Sequence, residues 1–430
     1  ILYLHSHDTG RYIQPYGYAI PTPNLQLFAE QGVLFRQAFC GGPTCSASRS
    51  VLLTGMCAHS AGMIGLAHRG FRLKDYNKHM CHTLRNAGYD TTLIGVQHLI
   101  RGKEREKLGY NNFVNTQGNS VKSIAPAARE YLNSEPEEPF FLSVGFSETH
   151  RKYPEPGPQE DARYCRPPAP VPDTPETRHD MASYKACARI LDDGMGQVLD
   201  ALDSSGLANK TLVICTTDHG IAFPGMKCNL TDHGTGIMFM MRGPKGFDGG
   251  KVVDSLISHV DIFPTICDYI GVDKPDWLQG KSIMPIIRGE KEEVNDEVFS
   301  EVTYHAAYEP KRSVRTRRFK YIRRFGNKNT PVLPNCDDSP SKKIWMENGW
   351  GERILAEEEL YDLVFDPNET RNLANDINYA EILKEMQDRL EKWMKRTDDP
   401  LLNGFVPAPS GARVNDPDGF SPGEEPRMVE

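Results

Sequence analysis

Short apolar runs alternate with helical patterns along the first two thirds of the chain. Four of these runs have the β-branched and aromatic composition of buried strands, at residues 1–4, 91–95, 140–144 and 211–215. Before the last of them, apolar residues recur at spacings of three and four, which predicts a helix over 182–203. Alternation of this kind predicts an α/β fold with a large mixed, mostly parallel sheet sandwiched by helices.

Further segments continue the alternation. Helices are predicted over 23–31 and 259–271, and strands over 33–35 and 237–241. Ligand sites in open sheets of this kind lie in the loops at the carboxyl ends of the strands. Polar clusters that directly follow a predicted strand are therefore candidates for chemistry.

The pattern changes after about residue 295. Short segments at 298–302, 313–315 and 321–323 predict antiparallel strands. The segment 379–395 carries its apolar residues on one face and predicts an amphipathic helix. The segment from residue 407 onward is rich in Pro, Gly and charged residues, which predicts an extended chain that wraps around the protein, or disorder.

These changes divide the chain into three parts. We expect a catalytic α/β domain over 1–295 and a smaller C-terminal α+β subdomain over 296–400, built of an antiparallel sheet plus a helix. An extended tail is expected over 401–430.

Composition narrows the range of partners. The 430 residues are 39% hydrophobic and 25% charged, which is ordinary for a soluble globular protein, and the net charge is −8. A nucleic-acid partner is not expected of so acidic a chain, and an anionic substrate would need a local positive cluster. Because no apolar run reaches about 18 residues, a membrane partner is not expected either.

The cysteines and the first residues bear on the compartment. Ten cysteines without a CxxC pair argue against a zinc ribbon or a disulfide framework, and most are expected to be buried thiols. The chain opens inside a predicted strand without an initiator Met, so we expect that its start is missing. The compartment stays open: bacterial periplasm or cytoplasm is favoured, or the lysosome if the source is eukaryotic.

A nucleophile candidate follows a Pro/Gly loop. Cys45 ends that loop and begins the run Cys-Ser-Ala-Ser-Arg, which continues into Leu53-Thr54-Gly55. If the run starts a helix, Arg49 lies one turn on and faces the same side as Cys45. A thiolate at this position would be a soft nucleophile with a cation beside it.

Two carboxylate–imidazole pairs follow predicted strands. His7-Asp8 ends the first strand, and Asp218-His219 ends the strand at 211–215. From two neighbouring loops they would bind one divalent cation. The alternative is that each Asp caps the turn that follows it.

Other polar residues have both a functional and a structural interpretation. His98 and His150 each follow a strand, and either is a catalytic histidine or a satisfied structural one. Lys227 lies in the loop after Asp218-His219 and is either an anion ligand or a solvated lysine. His59 and His68 are expected to be structural or to lie at a substrate rim.

The order Cys-x-Ala-x-Arg followed by Leu-Thr-Gly resembles the signature of the type I, formylglycine-dependent sulfatases. The likeness covers nearly the whole chain, including the segments 22–35, 199–220 and 359–373. It implies an alkaline phosphatase-like fold. It also implies that a maturation enzyme oxidises Cys45 to formylglycine, whose hydrated aldehyde attacks sulfur.

The resemblance also implies roles for the candidate residues. One divalent metal, usually calcium in this family, would be held by His7, Asp8, Cys45, Asp218 and His219. Calcium is favoured on this ground, and manganese or zinc stay open because His7 stands where an Asp is usual and imidazole shifts the preference toward them. The catalytic set would be Cys45, Arg49, His98, His150 and Lys227. Val96 stands where the family often has a lysine.

Within the family, the segments 62–66, 218–224 and 301–315 are most similar to the heparan N-sulfatase group. This likeness implies removal of sulfate from a sulfated saccharide, with a heparan-type glycosaminoglycan fragment favoured. Its sugar contacts would be Glu301, His305 and Arg312. A homodimer is left open. The alternatives are a phosphonate or phosphate ester hydrolase of the same superfamily and a weakly active sugar-binding relative.

Overall fold

A computed structural model describes residues 1–430, the side chain of residue 103 excepted. The strands in chain order are β1 (Leu2–His5), β2 (Val33–Phe35), β3 (Ala38–Phe39), β4 (Asp90–Gly95), β5 (Asn112–Val114), β6 (Phe140–Gly145), β7 (Val213–Thr216), β8 (Phe239–Arg242), β9 (Lys251–Val253), β10 (Ile257–Ser258), β11 (Glu297–Tyr304), β12 (Tyr308–Thr316), β13 (Phe319–Arg324), β14 (Glu358–Asp362), β15 (Arg413–Val414) and β16 (Arg427–Met428).

The helices follow the same order. They are α1 (Pro23–Gln31), α2 (Cys45–Thr54), α3 (Ala58–Ala61), α4 (Met80–Asn86), α5 (Val121–Asn133), α6 (Pro175–Ser204), α7 (Asp232–Thr235), α8 (Ile262–Ile270), α9 (Met284–Ile287), α10 (Pro340–Glu347) and α11 (Ala380–Arg396). Short 3-10 turns join several of them, among them Ala67–Arg69 and His259–Asp261.

The main sheet has the order β5-β4-β6-β1-β7-β8-β2-β9. Strand β8 pairs antiparallel with both of its neighbours, and the other pairings are parallel. The predicted mixed, mostly parallel sheet is therefore confirmed. At the centre of the sheet, β1 lies between β6 and β7 with His5 opposite Gly145 on one side and Thr216 on the other.

Both faces of the sheet are covered, as its apolar strands require. Side chains alternate along β1, so Leu2 and Leu4 pack against α5 and α6, while Tyr3 packs on the opposite face with α2, α4 and α8. Helices on both faces explain why the central strands have continuous apolar runs instead of alternating polarity.

The boundaries of α6 differ from the prediction. The helix begins at Pro175, seven residues before the predicted start, because Thr174 caps it and Pro175 suits the first helical position. The first turns of α6 are polar, so the spacing of apolar residues along the sequence did not reveal them. The predicted helix over 259–271 is a 3-10 turn followed by α8, which ends at Ile270 and is capped by Gly271 with a φ of 76°.

The C-terminal part forms a smaller sheet with the order β11-β12-β13-β14 and antiparallel pairing. Helix α11 packs Leu390 and Trp393 against Val314 and Tyr321 of this sheet. Phe299 stacks on Trp393 with 4.8 Å between the ring centroids. The predicted antiparallel sheet plus helix is thereby confirmed, while the boundary at 295 stays a prediction.

The chain after α11 returns to the main body. Ala412 is fully buried, and the backbone N–H of Asn415 donates to the carbonyl of Ala306 at 2.9 Å. Strands β15 and β16 pair with each other in this segment. Across the described residues, no helix has the length and apolarity needed to cross a membrane.

A buried ion cluster joins the two parts. Arg312 donates to both carboxylate oxygens of Asp399 at 2.6 and 3.0 Å and lies 3.4 Å from Glu301. His59 Nδ1 lies 2.9 Å from Glu301 Oε1. Arg312 and Glu301 are 0% and 2% exposed, so their charged groups are occupied inside the protein.

We predict that Asp399→Asn lowers the free energy of unfolding by about 3 kcal/mol, because the buried guanidinium of Arg312 loses the nearer of its two carboxylates. Denaturant unfolding measures this loss. The matched control is Asp161→Asn in the exposed pair with Arg163, where a change of no more than about 0.5 kcal/mol is expected. Equal losses of unfolding free energy from the two substitutions would show that the buried pair of Arg312 and Asp399 stabilises the fold no more than an exposed pair does.

Candidate active site

The parallel pairing of β1 and β7 brings the two carboxylate–imidazole pairs together. Both strands end at the same edge of the sheet, and His7-Asp8 and Asp218-His219 follow them directly. The backbone N–H of Asp8 donates to Asp218 Oδ1 at 2.8 Å. All four side chains are buried.

The donor atoms of this cluster converge on one point. His7 Nδ1 lies 2.8 Å from Asp8 Oδ1 and 3.2 Å from Asp218 Oδ2. His219 Nε2 lies 3.3 Å from Asp8 Oδ1 and 3.4 Å from Cys45 Sγ. Ligands bound to one metal at about 2.0 to 2.3 Å stand about 3 Å apart. Because single donor atoms of His7, Asp8, Cys45 and Asp218 lie within 4.8 Å of one another, the set fits a dication.

Both carboxyl groups are held ionised. Burial would raise the pKa of Asp8, but the Lys227 ammonium and the facing imidazoles outweigh it, and the pKa lies well below its usual value. Burial likewise opposes ionisation of Asp218, and His219, His7 and Arg49 together lower its pKa. Ionised carboxylates are the form that binds a metal.

Cys45 is the first residue of α2, next to this cluster. Burial raises the pKa of its thiol well above the usual value, and the nearby ammonium of Lys227 offsets this only in part. The side chain is therefore a thiol at neutral pH, and a thiol is a poor nucleophile. An unmodified Cys45 is badly suited to attack a substrate.

Arg49 lies one turn along α2 and points into the cluster. Its Nη2 donates to Asp218 Oδ2 at 3.0 Å and to the carbonyl of Ser6 at 2.9 Å, and its Nη1 lies 2.7 Å from His5 Nδ1. His5 did not figure among the predicted site residues, although its place in a buried strand marks it as unusual. Arg49 thus orients Asp218 as well as adding positive charge.

Lys227 reaches the cluster from the loop after β7. Its Nζ donates to Asp8 Oδ2 at 2.8 Å and lies 3.0 Å from Asp337 Oδ2. Burial would lower the pKa of Lys227, but Asp337 and Asp8 raise it well above its usual value, so the group stays an ammonium. Asp337 lies in a segment without apolar periodicity, and nothing in the sequence marked it.

Three imidazoles line one side of a cavity of about 600 Å³. His7 Nε2 lies 3.1 Å from His98 Nδ1, and the His7 and His150 ring centroids are 4.8 Å apart. Burial lowers the pKa of His98 well below its usual value, and His7 adds to the effect, so His98 is a neutral imidazole. Val96 lines the same cavity at the position where a lysine was expected.

The predicted sugar contacts do not gather at this cavity. Glu301 and Arg312 belong to the buried ion cluster with Asp399, and their burial argues against the sugar contact expected of them. His305 is 7% exposed, and burial and then the charge of Lys227 lower its pKa, so it lies on the Lys227 side of the site. His59 bonds Glu301 and is structural.

Comparison with known proteins identifies the class. The profile of the sulfatase family matches residues 1–272, and the profile described as N-sulphoglucosamine sulphohydrolase, C-terminal, matches residues 227–347. The chain belongs to the sulfatase family, which confirms the resemblance seen in its signature and the expected class of sulfuric ester hydrolases. It is 31% identical over 449 residues to human N-sulphoglucosamine sulphohydrolase, covering 91% of this chain and 88% of that protein.

Solved structures share the fold. A 2-O GAG sulfatase superposes with a TM-score of 0.73 at 24% identity, covering 95% of this chain and 94% of that one. The phosphonate monoester hydrolase of Agrobacterium radiobacter superposes with a TM-score of 0.71 at 20% identity, covering 92% and 95%. Both carry the large mixed sheet, and neither likeness distinguishes sulfate from phosphonate chemistry.

We predict that Asp337→Asn lowers kcat/KM for sulfate release about tenfold, because Lys227 loses one of the two carboxylates that hold its ammonium in place. Initial rates of sulfate release measure the effect. Asp338→Asn is the matched control, since the neighbouring Asp338 pairs with Lys342 instead. An unchanged kcat/KM in Asp337→Asn would show that Lys227 keeps its position without the Asp337 carboxylate.

Proposed function

We propose that this protein hydrolyses a sulfamate or sulfate ester of a sulfated saccharide, with a heparan-type glycosaminoglycan fragment as the favoured substrate. The observation that carries the proposal is the meeting of Cys45 with the ionised carboxylates of Asp8 and Asp218, each faced by a buried cation. Similarity to human N-sulphoglucosamine sulphohydrolase over most of the chain supports the N-sulfated sugar.

Conversion of Cys45 to formylglycine would replace its buried thiol, which is a poor nucleophile. The hydrated aldehyde supplies one hydroxyl to attack sulfur and a second through which sulfate is expelled. Position 45 suits a sulfate, because the free N–H groups at the start of α2 and its helix dipole favour an anion there. A formylglycine-generating maturation enzyme is the partner that this proposal requires.

The protein's cations would offset the charge that makes sulfate resist attack. Lys227 stays an ammonium between Asp8 and Asp337, within reach of a group bound next to Cys45. Arg49 donates to Asp218 and adds a second positive charge there. Fixed charges of this kind stabilise the redistribution of charge in a transition state without having to reorganise.

His98 and His150 are proposed to serve the leaving group. Both face the cavity beside His7, so a saccharide bound there would place its bridging nitrogen or oxygen near an imidazole. When the bond from that atom to sulfur breaks, the atom must gain a proton. Because His98 is a neutral imidazole, His150 is the group proposed to supply that proton, and His98 is proposed to hydrogen-bond the leaving atom.

His7, Asp8, Asp218 and His219 would hold the metal, with residue 45 completing the set. A dication there supplies Lewis acidity at the reacting oxygens. Two imidazoles beside two carboxylates match manganese or zinc better than the calcium that the family generally uses, since calcium prefers oxygen ligands alone.

We predict that the peptide containing Cys45 is lighter than its sequence mass by about 18 Da in protein made alongside a maturation enzyme, because CH2SH becomes CHO. Mass spectrometry measures the shift. The same sample is expected to release sulfate from N-sulfoglucosamine, and Cys45→Ala to release none.

Two further assays accompany that measurement. Hydrolysis of a phosphonate monoester faster than of N-sulfoglucosamine would favour the alternative hydrolase. Full conversion without turnover of any sulfated or phosphorylated substrate would favour a sugar-binding relative. An unmodified Cys45 in active protein would overturn the proposed nucleophile.

We predict that protein stripped of metal is stabilised more by zinc or manganese than by calcium, and that His7→Asp shifts the relative affinity toward calcium by about tenfold. Calorimetric titration with each metal measures this without reference to activity. His179→Asp, on the exposed surface of α6, is the control and should leave the preference unchanged. A wild-type preference for calcium would contradict the prediction.

A further inference from the structure

We propose that Arg69, Arg101 and Arg413 form a second oxyanion site at the rim of the active site, which binds a carboxylate or sulfate on the sugar unit next to the one that loses sulfate. This proposal rests on the proposed function, because it takes the substrate to be an acidic saccharide. We call these three residues the rim arginines.

The rim arginines gather around one peptide group. Arg413 Nη2 donates to the carbonyl of His68 at 2.7 Å, and Arg101 Nη1 donates to the same oxygen at 3.5 Å. Arg69 is the next residue in the chain. Three guanidinium groups therefore stand together although they are far apart in the sequence and the protein as a whole is acidic, with a net charge of −8.

The rim arginines lack counterions. Arg69 donates to Asn415 Oδ1 at 2.6 Å and to the carbonyl of Pro422 at 3.1 Å, and both acceptors are neutral. Within the part of the chain that the structure describes, none of the three guanidinium groups pairs with a carboxylate. Like charges held together repel, and a bound oxyanion relieves that repulsion.

The 3-10 turn that carries Arg69 lies beside the start of α2, where the proposed nucleophile stands. The backbone N–H of Ala67 donates to Ser46 Oγ at 3.0 Å, and Ser46 follows Cys45. The pKa of His68 is lowered to about 4, first by burial and then by Arg69, Arg413 and Arg101, with a smaller contribution from His150. His68 therefore lies close enough to the active-site cavity for the charge of His150 to reach it.

The tail builds this rim and fixes its shape. Ala412 packs so closely on Gly70 that a Cβ at Gly70 would stand 2.9 Å from the Ala412 Cα, and Gly70 has a φ of 99°. Asn415 bonds both Arg69 and the backbone at Ala306. Arg69 and Arg413 are therefore held in place before a ligand arrives, which reduces the entropy lost on binding.

Guanidinium groups are suited to the proposed ligand. Each presents a planar fork of N–H donors that matches two oxygens of a carboxylate or a sulfate. Arg101 is exposed, and Arg69 and Arg413 are half-buried, so all three are accessible from solvent. An acidic saccharide with its sulfate at residue 45 would extend its next acidic group toward them.

The test compares substrates that differ in the second acidic group. Arg101→Gln, Arg413→Gln and the double variant are assayed with N-sulfoglucosamine, with a disaccharide in which it is linked to a uronate, and with the same disaccharide after carboxyl reduction. We expect each substitution to raise KM for the uronate disaccharide about tenfold, with kcat and the KM for N-sulfoglucosamine unchanged. A 2-O-sulfated disaccharide distinguishes sulfate from carboxylate as the preferred anion.

The control is Arg163→Gln, an exposed arginine paired with Asp161, which should change none of these constants. The proposal is overturned if KM for the uronate disaccharide does not change, or if KM rises equally for N-sulfoglucosamine. Arg413 also holds the tail, so melting temperatures are compared. If Arg413→Gln fails to fold, Arg101→Gln alone decides, because its side chain is exposed and makes one long bond.

Binding without turnover separates this proposal from the proposed function. Fluorescence anisotropy measures the affinity of a labelled heparan tetrasaccharide at several salt concentrations. We expect the double variant to bind at least about tenfold more weakly and with a shallower salt dependence. If the double variant binds the tetrasaccharide more weakly but the wild-type protein hydrolyses no sulfate, the proposed function is wrong and the rim site is supported. If the wild-type protein hydrolyses sulfate and the double variant binds the tetrasaccharide normally, the rim site is wrong and the proposed function is supported.

Discussion

Two buried carboxylates side by side are the constraint on which this structure depends. Asp8 and Asp218 are fully enclosed, and ionised groups in such surroundings persist only where cations or hydrogen-bond donors face them. Lys227 satisfies Asp8, Arg49 satisfies Asp218, and the imidazoles fill the space between. The start of α2, the loop after β7 and the end of β1 are all fixed by this requirement.

The same requirement explains why the C-terminal part is needed at a site built on the main sheet. Lys227 is shared between Asp8 and Asp337, so a residue from beyond β13 helps to hold a cation at the end of β1. The buried pair of Arg312 and Asp399 secures the smaller sheet on which this depends. The rim arginines also combine distant parts of the chain, since Arg413 comes from the tail and Arg69 and Arg101 come from the main part.

Much of the fold followed from local patterns. Continuous apolar strands and the three- and four-residue spacing of α6 predicted the layered sheet, because burial on both faces demands them. Helix ends were less certain, since the start of α6 depends on a cap and a proline instead of apolar residues. Of the site, His7-Asp8 and Asp218-His219 were predicted together because parallel strands end at a common edge.

By itself, the sequence determined the family, the layered sheet, the nucleophile candidate and the candidate metal ligands, because each shows in spacing along the chain or in a strand end. Only the tertiary structure decided that Asp337 pairs with Lys227, that Glu301 and Arg312 are buried in one ion cluster, and that Arg413 lies beside Arg101. These roles come from contacts between segments far apart in the chain, and burial and charge pairing there depend on packing that no local pattern encodes.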